Sequence, residues 1–158
     1  MTDMERNEKI EKLQRLPLLA EQAVKGLREQ QLDTPYRVNG WTVRQVIHHL
    51  ADSHMNAFIR TKLILTEENP TLKTYEQEEW AKTTDASAFS VEGSLSILKG
   101  LHERWVHLLR STKTESWKRT AMHPEKGLIT LDDIVELYAR HGENHVAQIT
   151  GLRSVRGW

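Results

Sequence analysis

Residues 131–152 read LDDIVELYARHGENHVAQITGL, and the spacing of their apolar side chains is the clearest structural signal in the chain. Together with two histidines, these side chains recur at steps of three or four residues, so that seven positions share one helix face: Leu131, Ile134, Tyr138, His141, His145, Ile149 and Leu152. A face of this kind normally turns toward a core. The pattern predicts one long helix that buries this side.

Two histidines, His141 and His145, occupy the middle of that face one helical turn apart. Imidazoles at positions where leucines would fit cost desolvation free energy unless a partner satisfies them. A divalent metal ion is one such partner, because histidine pairs at i and i+4 are a known way to hold one. Backbone or carboxylate hydrogen bonds to two core histidines are the other. The pair alone leaves both interpretations open.

The same helical period predicts four long helices, at about residues 5–31, 42–68, 91–112 and 130–154. Pro17 either kinks the first helix or stands in the first turn of its main part. Thr42 and Gln45 have the spacing of a capping box at the start of the second helix, which ends near Pro70. Thr130 is the predicted N-cap of the last helix.

The residues between these helices are expected to form connections, 69–89 with one helical turn at 76–82, and 113–129. No strand longer than a few residues is expected. Four helices of about 20 to 25 residues are typical of a four-helix bundle, whose core often holds metal ligands from facing helices. The sequence therefore predicts an all-α fold, a single four-helix-bundle domain covering residues 1–158.

The composition excludes several classes of function. The 22 Lys and Arg residues balance 22 Asp and Glu residues, which argues against nucleic-acid binding. The chain has no cysteine, so disulfides, a cysteine nucleophile and thiolate metal ligands are excluded. Residues 1–12 lack the apolar segment of a secretory signal, and no apolar run approaches the roughly 20 residues of a membrane span. We therefore expect a soluble cytoplasmic protein with no membrane partner.

A catalytic mononuclear metal site usually has three protein ligands and one open position. The predicted helix at residues 42–68 offers three histidines, His48, His49 and His54. At about 100° per residue, His54 falls near the centre of the apolar face, His49 on its flank and His48 on the other side. Periodicity favours His54 as the third ligand, although a flank that meets the last helix would also place a ligand there.

The chain resembles the DinB/YfiT-like superfamily, and its YfiT branch in particular. The resemblance covers nearly the whole chain from about residue 10, and these segments carry it: 32–37 (LDTPYR), 40–52 (GWTVRQVIHHLAD), 51–56 (ADSHMN), 129–131 (ITL) and 141–148 (HGENHVAQ). In the superfamily the first metal ligand is the histidine eight residues after the tryptophan that opens the second helix, which here is His49 after Trp41. The resemblance thus implies a three-histidine site of His49, His141 and His145, against the preference for His54.

The YfiT branch is described as metal-dependent hydrolases and includes bacillithiol S-transferases. The resemblance implies one divalent metal ion per chain, zinc first and nickel as the alternative, a small-molecule substrate and a homodimer. Metal-activated water would support hydrolysis. A metal-bound thiolate would support transfer of a low-molecular-weight thiol of the bacillithiol type. A bundle that binds a metal or ligand without turnover is the third hypothesis.

Three further side chains are candidates for the surroundings of the metal: Asp52, His54 and Gln148. Asp52 lies one turn after the predicted ligand on its helix and is a possible partner for an imidazole N–H. His54 is expected in the core or the pocket wall, and Gln148 is expected to line the pocket or bond across the bundle. Glu143 is expected on a different face of the helix from His141 and His145. It therefore does not match the glutamate of the HExxH metalloprotease motif, which directly follows the first histidine. The tryptophans are expected in the core or at an interface.

Overall fold

Seven helices and one short hairpin make up the fold of this computed structural model, which describes residues 1–158. In chain order the elements are α1 (Asp3–Val24), α2 (Glu29–Leu32), α3 (Val43–Thr66), α4 (Gln77–Trp80), α5 (Thr84–Ala88), α6 (Glu92–Arg110), a 3₁₀ turn (Thr114–Lys118), β1 (Thr120–His123), β2 (Gly127–Thr130) and α7 (Leu131–Arg156). The four long helices, α1, α3, α6 and α7, form a bundle. The predicted all-α four-helix bundle is confirmed. No helix combines the length and the apolar character that crossing a membrane requires.

The long helices do not follow one another around the bundle. α1 packs against α6 and α7, and α3 packs against the same two helices. α1 and α3 therefore lie on one diagonal, and α6 and α7 on the other. The chain crosses the bundle diagonally through residues 25–42 and 111–130, which are longer than the short loops of a simple up-and-down bundle. This topology makes α3 and α7 neighbours.

Three of the long helices begin at a threonine. Thr2, Thr42 and Thr130 each accept a hydrogen bond from the backbone N–H three residues on, and the side chain at that position bonds back to the threonine N–H. Each capping box satisfies two backbone donors that the helix itself leaves unpaired. The predicted starts of the second and last helices are thus confirmed, and they hold the start of α3 and of α7 in register.

The first helix ends earlier than predicted. α1 stops at Val24, and the chain turns at Gly26, whose φ of 78° lies in the left-handed region that a right-handed helix does not contain. Residues 29–32 then form the separate helix α2. Pro17 stands inside α1, which continues on both sides of it. Because proline has no backbone N–H, the carbonyl four residues earlier, that of Leu13, lacks its usual helical donor.

Arg44 anchors the segment between α1 and α3. Its buried guanidinium donates to the Asp33 carboxylate at 2.7 Å and to the Phe89 carbonyl at 2.8 Å, and it pairs with Glu29. These bonds fix α2 and the end of α5 against the start of α3. The same start carries the first predicted metal ligand, so the anchor also fixes the entrance to the site.

A hairpin that the sequence analysis did not predict precedes α7. β1 pairs antiparallel with β2 from Thr120–Thr130 to His123–Gly127. Each strand has four residues, too few for alternation to stand out against a connection. Backbone hydrogen bonds join Met122 to Pro70 and Leu72, at 2.9 Å each. The hairpin thereby covers the side of the bundle between α3 and α7.

Two apolar clusters fill the bundle, one on each side of a polar level. One cluster includes Ile10 and Leu13 of α1, Ala57 and Ile64 of α3, Trp105 and Leu109 of α6, and Leu131 and Tyr138 of α7. The other includes Leu16 and Ala20 of α1, Val46 and Leu50 of α3, Leu98 of α6, and Ile149 and Leu152 of α7. Between them lie five histidines: His49, His54, His102, His141 and His145. The histidine level is thus built into the core by three helices.

Candidate metal centre

Three imidazole rings converge where α3 faces α7. His49 of α3 and His141 and His145 of α7 bring one ring nitrogen each within 4.8 Å of one another. The Nε2 atom of His141 lies 3.1 Å from that of His49 and 3.2 Å from that of His145. Nitrogens bound to one tetrahedral zinc ion lie roughly 3.3 Å apart. The spacing of these nitrogens therefore suits a shared metal ion.

A chain of hydrogen bonds assigns the tautomer of His141. The Leu13 carbonyl oxygen lies 2.6 Å from Nδ1 of His102. A carbonyl only accepts, so Nδ1 of this neutral ring carries the hydrogen and Nε2 carries a lone pair. Nδ1 of His54 lies 3.0 Å from that Nε2 and donates to it. Nε2 of His54 therefore accepts from Nδ1 of His141, at 3.3 Å. The lone pair of His141 is left on Nε2, among the other two rings.

This series of hydrogen bonds begins at the Leu13 carbonyl, which has no helical donor because residue 17 is proline. In an uninterrupted helix the carbonyl of Leu13 would accept from the N–H of residue 17, and here that N–H is missing. The carbonyl instead accepts from His102, which is 1% exposed. An unpaired buried carbonyl would be costly, and so would an unpaired buried imidazole. The hydrogen bond between the Leu13 carbonyl and His102 satisfies both groups.

Gln148 assigns the tautomer of His145 in the same way. Its side-chain oxygen lies 2.8 Å from Nδ1 of His145, which therefore carries the hydrogen and leaves a lone pair on Nε2. The Nε2 atoms of His141 and His145 then face each other at 3.2 Å with a lone pair on each. Two lone pairs repel at that distance, and a cation between them turns the repulsion into attraction. The donor set thus fits a divalent metal ion.

Burial keeps these rings neutral. Burial, with a smaller contribution from the neighbouring imidazoles, lowers the pKa of His49 to about 3 and that of His141 to about 2. Burial also lowers the pKa of His145, and that of His102 to about 4. Metals bind the neutral form of imidazole. At neutral pH the cluster therefore needs to release no proton before it binds an ion.

A cavity of about 320 Å³ opens onto the three imidazoles. Trp41 forms one wall: its ring centroid lies 4.5 Å from that of His49 and 6.3 Å from that of His145, nearly parallel to the latter. The indole N–H donates to the Glu78 carboxylate at 3.1 Å. Glu78 is the one carboxylate that lines this cavity. Solvent or a small molecule can therefore reach the centre beside a proton acceptor.

A tight turn places Trp41 over the rings. The Tyr36 N–H donates to the Trp41 carbonyl, and the Gly40 N–H donates to the Arg37 carbonyl, at 3.0 Å each. Asn39 has a φ of 56°, in the left-handed region that asparagine tolerates. A Cβ atom on Gly40 would lie 2.7 Å from Cγ of Arg37, closer than side chains approach. Glycine is thus required where the turn folds back.

The structure brings together the three histidines that the resemblance implied, and it puts His54 behind them. His54 is fully buried at the centre of the bundle, as the helical wheel indicated, and it contacts His141 from the side away from the cavity. The flank that carries His49 is the one that meets α7. His48 points away from the cluster, with Nδ1 2.8 Å from Ser94 Oγ.

Of the three candidate neighbours, Asp52 differs from expectation. Asp52 makes no hydrogen bond to an imidazole. Burial and the nearby Asp85 raise its pKa to about 6, and the Asn56 side chain donates to its backbone carbonyl. Gln148 bonds along its own helix and not across the bundle.

Three residues of the site were missed by sequence reasoning. His102 was not among the candidate site residues, and Trp41 was expected in the core or at an interface. Glu78 lies in a segment without periodicity. One signal was available for His102: a histidine on the apolar face of its helix requires a buried partner, and Pro17 frees a carbonyl.

Comparisons with known proteins agree with this geometry. A family model described as the DinB superfamily matches residues 12–149. A protein of Bacillus cereus (strain 03BB102) named "Putative metal-dependent hydrolase" is 51% identical over 149 residues, which cover 94% of this chain and 86% of that protein. A protein of Bacillus anthracis (strain A0248) with the same name is 50% identical over 149 residues, with the same coverage.

A solved structure, described as YfiT from Bacillus subtilis, a probable metal-dependent hydrolase with an unusual four-helix bundle topology, superposes on this one with a TM-score of 0.97. The two sequences are 44% identical, and the match covers 100% of this chain and 91% of the other. All three clustered histidines lie inside the region that the family model matches. Fold, sequence and the position of the cluster lead to one conclusion: this chain belongs to the DinB superfamily.

Proposed function

We propose that this protein is a metal-dependent hydrolase in which His49, His141 and His145 hold one divalent ion. One observation carries the proposal: Nε2 of His141 and Nε2 of His145 face each other at 3.2 Å, and the hydrogen bonds of both rings leave a lone pair on each. Three nitrogen ligands without sulfur favour zinc, with nickel as the alternative. The names of the relatives support the same class of activity.

Neutral ligands leave the charge of the ion intact. When bound, such an ion supplies a Lewis acid that polarises a substrate oxygen and acidifies a water molecule. The Trp41 indole N–H holds Glu78 at the cavity wall, where this carboxylate would serve as the proton acceptor for hydrolysis. The Trp41 ring covers the flank of His49 and limits the access of bulk solvent.

Transfer of a low-molecular-weight thiol is the second function that this site supports. The chain has no cysteine, so a sulfur atom that reaches the centre must come with a substrate. Sulfur is a good ligand of the same ions. A chloro-nitro aromatic incubated with a thiol distinguishes the two functions, because only transfer yields a product that contains the thiol.

The first prediction concerns metal content. Protein purified without a histidine tag is expected to contain about one divalent ion per chain. His49→Ala and His145→Ala are each expected to lose it, because two imidazoles hold an ion far less tightly than three. His107→Ala, at an exposed histidine of α6, is the matched control and keeps the metal. Elemental analysis measures the content. Full metal in His49→Ala would contradict the assigned ligands.

The second prediction separates the proton acceptor from the ligands. Glu78→Gln is expected to keep its metal and to lose about 100-fold or more in the hydrolysis of p-nitrophenyl esters, because the amide cannot accept the proton. Glu79→Gln is the control, since Glu79 is exposed and pairs with Lys82. Equal losses in both variants would show that the effect belongs to surface charge.

The third prediction tests the series of hydrogen bonds that runs from the Leu13 carbonyl through His102 and His54 to His141. His102→Leu is expected to weaken zinc binding about 10- to 100-fold, because His54 loses its acceptor and no longer fixes the tautomer of His141. His102→Gln restores binding, since its amide N–H can donate to Leu13 and its amide oxygen can accept from His54. Competition with a chromogenic chelator measures affinity. Wild-type zinc affinity in His102→Leu would show that the hydrogen bonds from Leu13 to His141 do not support the metal site.

The fourth prediction concerns the pH dependence of the metal-free protein. The pKa values of His49, His102 and His141 are lowered on folding, so from about pH 6.5 down to their folded values the unfolded chain binds more protons. Over that range each of these histidines lowers the free energy of unfolding by up to about 1.4 kcal/mol per pH unit of acidification. Asp52, with its raised pKa, acts in the opposite direction below about pH 6.

The net effect is a free energy of unfolding that falls as the pH decreases from 6.5 to 5. Urea unfolding after chelator treatment, at pH 7.5, 6.0 and 5.0, measures it. The control is His102→Gln, whose stability is expected to depend less steeply on pH. A stability that stays constant over this range would show that the histidines are already protonated in the folded protein.

A further inference from the structure

One buried cation, Arg60, lines a cavity that His141 also lines, and no carboxylate pairs with it. Arg60 of α3 is 8% exposed. It donates through Nη1 to the Tyr138 hydroxyl at 3.0 Å and through Nη2 to the Lys73 carbonyl at 2.7 Å. Its Nε is the only buried side-chain nitrogen or oxygen of the protein without a hydrogen-bond partner. A buried charge is normally paired with an opposite charge, and this guanidinium has none.

The guanidinium borders a second cavity, of about 520 Å³. The buried polar side chains of its wall are Ser53, Arg60, His123 and Tyr138. Four carboxylates also touch it, those of Glu76, Glu78, Glu125 and Asp133, and all four belong to exposed residues at its rim. None of them lies within ion-pair distance of Arg60. The inner wall therefore offers a positive charge and hydrogen-bond donors, and its negative charges face solvent.

His141 connects this cavity to the metal centre. It lines both the second cavity and the one that opens onto the three imidazoles. Tyr138, the partner of Arg60, lies one turn before it on α7, with ring centroids 5.6 Å apart. A molecule in the second cavity can thus place one end at Arg60 and the other beside the three histidines.

We propose that Arg60 binds a carboxylate group of the substrate in this cavity while the reacting part of the same molecule lies at the three-histidine centre. The inference rests on the proposed metal site. A guanidinium has five N–H groups, and those of Arg60 make two hydrogen bonds, so three N–H groups have no partner. Their planar arrangement suits the two oxygens of a carboxylate. The Tyr138 hydroxyl accepts from Arg60, which leaves its own hydrogen free to donate.

A purely structural role is the competing explanation. Arg60 ties the Lys73 carbonyl to α3, and this bond alone would hold the segment between α3 and α4. A structural tie needs no acceptor at Nε and makes no distinction between acidic and neutral ligands. The charge of the ligand is therefore the variable that separates the two roles.

The test uses protein loaded with cobalt(II), whose absorption spectrum changes when a thiol binds to the ion. The probes are ω-mercapto acids with three to six carbon atoms and the amides of the same acids. We expect at least one acid to bind wild-type protein about tenfold or more tightly than its amide, because the charge-assisted hydrogen bond to Arg60 is lost in the amide. Arg60→Gln should reduce this ratio to about one.

Lys99→Gln is the control, because it removes one positive charge from an exposed lysine that lines the groove between α1 and α6. It should keep the wild-type ratio. Thermal unfolding of each variant checks that it is folded, and the wild-type comparison of acid with amide needs no variant.

The outcomes are distinguishable. Equal binding of every acid and its amide to wild type would overturn the carboxylate site and leave the metal site in place. An acid preference that persists in Arg60→Gln would overturn the role of Arg60. Failure of the protein to take up cobalt would overturn the proposed function and this inference with it.

Discussion

The hydrogen bond between the Leu13 carbonyl and His102 is the constraint on which the site depends. Pro17 removes the helical donor of that carbonyl, and His102 replaces it at 2.6 Å. Because a carbonyl can only accept, the direction of every later bond in the chain follows from this one. The effect passes from α1 through α6 and α3 to α7, and it ends with a lone pair on Nε2 of His141. One missing N–H thus orients a proposed ligand on a different helix.

The histidine level also explains how a polar layer remains in an apolar core. Burying imidazoles is costly unless their nitrogens are paired. Here His54 uses both nitrogens, on His102 and His141, and His102 uses both, on His54 and Leu13. The lone pairs that these hydrogen bonds leave unused lie together, on the Nε2 atoms that face the cavity. The bundle therefore concentrates its unsatisfied acceptors where an ion can reach them, and leaves the apolar clusters on either side intact.

The sequence allowed most of the fold to be predicted and only part of the site. Helical period and capping boxes located α3 and α7, since both depend on neighbours three or four residues apart. The helical wheel placed His54 correctly at the centre of its face. It failed to identify His49, because the choice of ligand depends on which helix lies beside that flank, and the diagonal crossings decide this. His102 and Glu78 join the site through contacts between distant segments, which no local pattern records.

The proposed ion and Arg60 border two cavities that His141 joins, and this arrangement restricts the substrate. A divalent ion bound by neutral ligands keeps its charge of two, and a guanidinium stays protonated at any physiological pH. Both charges are largely withdrawn from water and repel each other. A molecule with a carboxylate at one end and a polarisable oxygen or sulfur at the other offsets both charges at once, whereas a neutral molecule offsets only one. The net charge of the chain is zero, so this preference arises from the placement of buried charge and not from its total. A substrate of this kind would therefore be selected by the two positive charges together.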